Sequence, residues 1–177
     1  MKINMRLFDR KFRKNVHRYV FQCALATLTI LAVLFFLDVL SETAIIAALG
    51  ASAFVVFAIP NSYSSDSRRL IGGYLVGISV GIICYNISII FPTSDFFTNT
   101  EMSLIVFGAI AVGVAIFIMA ITNTEHPPAA GIALGLVINK WDWITIIFIL
   151  CAITWLTSIR KILKPHLLDL ISPPEKE

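Results

Sequence analysis

The chain has 177 residues, of which 58% are hydrophobic and only 14% charged, with a formal net charge of +3. With a mean hydropathy of +0.85, it cannot be a soluble domain, which could not hide so much apolar side chain. Its apolar runs are continuous rather than alternating, which excludes a β-barrel and implies an all-α, polytopic membrane protein.

Residues 1–18 hold seven of the fourteen basic residues: Lys2, Arg6, Arg10, Lys11, Arg13, Lys14 and Arg18. Met5, Phe8, Phe12 and Val16 recur among them at helical spacing, so this segment is expected to be a basic amphipathic helix on an anionic membrane face. Nucleic-acid binding is not expected of an arm tethered to a bilayer. No cleavable signal peptide is expected, because the first apolar run is too long and lacks a small-residue cleavage site.

Six apolar segments follow: 19–37, 43–59, 70–91, 103–121, 127–138 and 143–159. Short linkers make residues 19–160 one transmembrane domain, and 161–177 form a short tail. With six crossings, thirteen of the fourteen basic residues share one side and only Lys140 lies opposite. The positive-inside rule then puts both termini in the cytoplasm and the protein in the cell inner membrane. Segments 43–59 and 127–138 are short or broken. Each half runs long–short–long, which suggests a 3+3 inverted repeat.

The polar stretch Thr122-Asn123-Thr124-Glu125-His126-Pro127-Pro128-Ala129-Ala130-Gly131 stands before the shortest segment. A twelve-residue helix rises roughly 18 Å against a hydrocarbon core of about 30 Å. Ionisable groups at its start are thus expected at membrane depth, where they are costly and usually functional. Pro127 and Pro128 suit a first helical turn, and the remaining free N–H groups and the helix dipole suit an anion. His126 adds a donor, Ala129 and Gly131 line the turn, and Glu125 with His126 forms a candidate proton-coupling pair.

Gly50, Ala51 and Ser52 form a second small-residue patch, read as the opening of another short helix and as part of the same substrate site. Arg68 and Arg69 end a hydroxyl-rich loop and are candidates for attracting an anion. Gly73, Gly77 and Gly81 form G-x-x-x-G-x-x-x-G, a close-packing signal within the chain or between copies in a homo-oligomer. Cys23, Cys84 and Cys151 read as small core residues with no metal spacing. No metal, cofactor or ATP-binding loop is expected.

His126-Pro127-Pro128, within residues 124–135, resembles the signature of the HPP family of integral membrane proteins. The resemblance extends to Ala47–Ala53, to Pro60 with its Ser-rich loop, and to Arg69–Gly73, covering about residues 43–160. It implies a small helical membrane protein, commonly described with four spans, and the link of some members to nitrite transport makes a small inorganic anion the first candidate substrate. Glu125 departs from the uncharged residue that many relatives show before the histidine. The expected function is a transporter or channel for such an anion, not an enzyme. The alternatives are a non-transporting scaffold or sensor, and a Ser–His intramembrane hydrolase. The last takes Gly50-Ala51-Ser52-Ala53 as rhomboid-like and needs Ser52 and His126 within hydrogen-bond reach.

Overall fold

The structure is a computed structural model that describes residues 14–34, 43–90, 100–139 and 141–171. Most of the basic amino-terminal segment, Asp38, Lys140 and Lys176 lie outside these residues. Among the described residues six α-helices follow one another: α1 (Val16–Leu34), α2 (Thr43–Ala58), α3 (Ser67–Ile90), α4 (Thr100–Thr122), α5 (Pro127–Ile138) and α6 (Trp143–Leu163). By length and composition, three stretches among the described residues can cross a membrane unaided: Ser67–Ile90, Met102–Thr122 and Trp143–His166.

The helix ends alternate between two poles. At one pole the 59–66 loop, the 123–126 loop, the start of α1 and the carboxyl-terminal segment all meet. Arg160 Nη2 donates to the Pro60 carbonyl at 2.9 Å, and the Leu170 N–H to the Ala58 carbonyl at 2.8 Å. Tyr19 donates to the Leu170 carbonyl at 2.6 Å. Gln22 is fully buried among these elements and donates to the carbonyls of Phe57 and Leu168 at 2.5 and 2.9 Å, while its own carbonyl accepts from the Leu168 N–H at 3.1 Å. Every polar atom of this intramembrane amide is used, as an apolar medium demands. The shared pole is the geometry expected of six segments that all run between the same two faces.

At the other pole Asp142 caps α6, its carboxylate accepting from the Thr145 N–H at 2.7 Å. Tyr85, Trp141 and Trp143 stack edge to face there, where amphipathic rings favour a headgroup interface. The flanks between the poles expose Leu28, Ile83, Ile105, Phe117, Ile144 and Ile147, a surface suited to acyl chains rather than water. Cys23 and Cys151 lie on this outer surface and only Cys84 is buried, so two of the three cysteines are not core residues.

Helix α5 is the centre of the bundle, packed by α3, α4 and α2. Its buried face mixes small and larger residues: Ala129, Ala130, Ala133 and Gly135 with Ile132, Leu136 and Val137. The glycine stripe of α3 is what lets it in. A Cβ on Gly73 would meet His126 Cβ at 2.8 Å and the Thr124 carbonyl at 3.0 Å; on Gly81 it would meet the Ala133 carbonyl at 3.0 Å; on Gly77 it would strike the Ala129 carbonyl. All three glycines are buried against α5. The motif is therefore used for close packing inside the chain.

Replacing Gly77 by Ala forces Cβ onto backbone, which cannot swing aside as a side chain can. The expected cost is about 1–3 kcal/mol, read as a lowered unfolding midpoint in detergent. Gly113→Ala is the control, since nothing lies within 4 Å of its added Cβ, and it should leave the midpoint unchanged or slightly raised.

Candidate functional site

Helix α4 ends at Thr122 on Asn123, whose positive φ of 55° gives a left-handed cap. The Thr124 N–H then returns to the Met119 carbonyl at 2.9 Å, closing the helix as a Schellman-type turn. Thr124 passes over Gly72 of α3, and His126 over Gly73. His126 thus lies level with a residue six positions inside α3 and beside Ser52, six positions before the end of α2. At 1.5 Å per residue both place the imidazole roughly 9 Å below the helix ends, and its exposure is 0%.

The imidazole is held at both nitrogens. Nδ1 lies 3.0 Å from the Ser64 carbonyl and Nε2 lies 2.9 Å from Ser52 Oγ. Ser52 Oγ is also 2.7 Å from the Tyr74 hydroxyl, which reaches the Ala48 carbonyl at 3.3 Å. A carbonyl only accepts, so Nδ1 carries a proton. In the neutral ring Nε2 then accepts from Ser52, and Ser52 accepts from Tyr74. With a proton on Nε2 the chain reverses: His126 donates to Ser52, Ser52 to Tyr74, and Tyr74 to Ala48. An acceptor stands at either end, so the network is satisfied in both states. Ser52 and Tyr74, like His126, have 0% exposure.

Three features differ from the sequence reading. First, Gly50, Ala51 and Ser52 do not open a helix. They lie within the unbroken α2, so their N–H groups belong to its ladder. Only Ser52 faces His126; Ala51 is exposed and Gly50 half-exposed.

Second, the start of α5 is not rich in free N–H groups. Pro127 and Pro128 have none, and the Ala129 N–H folds back to the His126 carbonyl at 2.9 Å. Pro127 is exposed, Pro128 half-buried, Ala129 packs on Gly73, and a Cβ added to Gly131 would meet Ala48 Cβ at 3.3 Å. These residues shape the turn that carries His126 and give an anion little backbone to bind.

Third, Glu125 turns away from the imidazole. Its carboxylate lies 3.7 Å from Arg69 Nε and accepts from the Tyr63 hydroxyl at 3.3 Å. Arg69 also donates to Asn123 Oδ1 at 2.8 Å and stacks over the Tyr63 ring; Tyr63 donates to Asn123 as well. Arg69 is thereby a clamp on the 123–125 turn, whereas Arg68 is exposed. No group of three or more His, Cys, Asp or Glu able to hold a metal occurs among the described residues.

Tyr74 and the Ser64 carbonyl were not singled out from sequence. A tyrosine beside Gly73 in an apolar run was the available sign, because a buried phenol needs a partner. Its partner depends on the register of three helices.

Short helix, deep histidine and lipid-facing flanks define a polytopic helical membrane protein with a buried polar centre. The chain matches the family described as HPP, transmembrane region, over residues 11–164 and belongs to it. It is also similar to a transmembrane protein of Dictyostelium discoideum, at 29% identity over 108 residues. That match covers 59% of this chain and 35% of the relative, so the chain spans about a third of that protein's length. No solved structure matches it.

Ser52 is the hub of the network. Ser52→Ala strands His126 Nε2 and leaves Tyr74 only its longer bond to the Ala48 carbonyl at 3.3 Å, and should destabilise by about 1–3 kcal/mol. Tyr74→Phe leaves the Ser52–His126 bond intact and should cost less. Thermal unfolding of both variants in one detergent checks the order; a larger loss for Tyr74→Phe would refute this account of the hub.

Proposed function

We propose that this HPP protein is a transporter of a small inorganic anion, with nitrite the first candidate. It would be a multi-pass protein of the cell inner membrane with both termini cytoplasmic. The observation that carries the reading is the Ser52–His126–Tyr74 network, sealed about one third of the way into the bundle. Such polar groups are costly at membrane depth and usually mark a path for ions or protons. The network holds three hydrogen-bonding side chains that can turn toward a ligand, and it can accept a proton without losing a partner. A protonated His126 would offset the charge of a passing anion, which gives proton coupling a route through Ser52 and Tyr74 rather than Glu125. The closed packing around it corresponds to an occluded state. Arg68 at the exposed pole would attract the anion. Long–short–long helices in each half, with Ser52 on one short helix and His126 at the start of the other, support a 3+3 inverted repeat about this centre.

One observation favours a second reading: Ser52 Oγ and His126 Nε2 stand 2.9 Å apart, within reach for a Ser–His nucleophile pair. Three features oppose it. The serine is fully buried, its oxygen is shared with Tyr74, and its backbone N–H is committed to α2, leaving no oxyanion donor there.

The deciding experiment is anion uptake into proteoliposomes across a pH series, comparing nitrite, nitrate and formate. Wild type should carry nitrite, and His126→Ala and Ser52→Ala should each lower uptake by roughly tenfold or more. Wild-type rates in both variants would remove the site from the pathway. Labelling of Ser52 by a fluorophosphonate, lost in His126→Ala, would instead support the hydrolase.

A further inference from the structure

A second buried polar pair lies outside this network, near the end of α6. Arg160 is 5% exposed and Thr157 is 7% exposed. Arg160 Nη2 is used by the Pro60 carbonyl, but its Nε and Thr157 Oγ1 have no hydrogen-bond partner among the described residues. Other hydroxyls on the spans behave differently. Those of Thr27, Thr29, Thr122, Thr154 and Ser158 all bond back to the carbonyl four residues earlier. Thr157 forgoes that bond.

Residues three apart share a helix face, and long helical side chains lean toward the preceding turn. The Arg160 side chain therefore overlies the turn that carries Thr157. Among the described residues Arg160 forms no ion pair; Asp66 at the start of α3 acts on it only electrostatically. A buried guanidinium normally has a paired charge and filled donors. Here one N–H and one hydroxyl are left over, beside a positive charge only partly offset by Asp66. A water can satisfy the two groups but not the charge.

We propose that Arg160 Nε–H and Thr157 O–H together bind one small monovalent inorganic anion. The assignment of ligand class rests on the transport reading above; the unfilled donors do not. Both donor atoms are buried, which limits the ligand to a few atoms, and one partly compensated guanidinium supports a single negative charge. It would serve as a subsite at the pole where Pro60 and Asp66 meet α6, separate from the His126 centre.

The test is thermal unfolding of the purified protein in detergent with nitrite or bromide, against gluconate at equal ionic strength. A ligand that binds only the folded state raises the midpoint. Nitrite and bromide should raise it and gluconate should not. Thr157→Val, which keeps shape and removes the hydroxyl, should weaken the apparent Kd roughly tenfold. Arg160→Lys should weaken it too. Thr154→Val, an exposed and back-bonded neighbour, should bind as wild type. No anion-dependent rise in wild type would assign the two donors to a buried water and overturn the proposal, as would a rise that persists unchanged in Thr157→Val. Failed nitrite uptake with an intact rise would count against the transport reading and leave this site standing.

Discussion

Everything at the centre of this protein depends on two backbones meeting without side chains between them. Helix α5 can enter the bundle because α3 presents Gly73, Gly77 and Gly81 along the line of approach. In lipid there is little hydrophobic gain from burying one apolar helix against another, so close van der Waals contact must hold them. Small residues on both sides make that contact continuous. The same register fixes where the chain before α5 must run: over Gly72 and Gly73, with Thr124 and His126 pressed against them. The depth of the histidine is thus a consequence of helix packing, not an independent feature of the loop.

Placing an imidazole there creates a demand that the neighbours meet in full. Two nitrogens find a carbonyl and a hydroxyl, and the hydroxyl finds a phenol. A network with all members satisfied is tolerable in low dielectric, whereas a half-satisfied one is costly. This one is satisfied in either direction of donation. A static hydrogen-bonded core needs only one such arrangement, so the acceptor at each end, Ser64 and Ala48, is the part of the geometry that packing alone does not call for.

Much of the architecture was legible in the sequence, for a physical reason. Length of apolar run, proline at the first turn and the one-sided distribution of Lys and Arg each act locally, and each can be read without knowing any contact. The brevity of α5, and with it the expectation of a histidine at membrane depth, follows from the same local information, whereas the complete burial of His126 depends on its contact with Gly73 of α3. What failed to show was contact and register. Gly50–Ser52 looked like a helix start because small residues precede a site in many membrane proteins, yet nothing there breaks α2. The prolines mark the start of α5 correctly, but two missing N–H groups and one folded-back N–H leave little for an anion. Tyr74 stayed hidden because its partner sits on another helix.

The charges at the shared pole complete the picture. Glu125, awkward for an anion site when read as the neighbour of His126, is neutralised by Arg69 and held by Tyr63 outside the imidazole's reach. That clamp fixes both ends of the 123–125 turn to the start of α3, so the residue next to the deep histidine is an anchor rather than a ligand. It also removes Arg69 from the set of free cations. Besides Arg69, the arginines described near this pole are Arg18 and Arg68, which face outward, and Arg160, which is buried with a donor to spare. Arg68 and Arg160 stand on elements that flank the turn carrying His126, and Asp66, Glu125 and Asp169 lie at the same pole, so acidic and basic side chains are interleaved there.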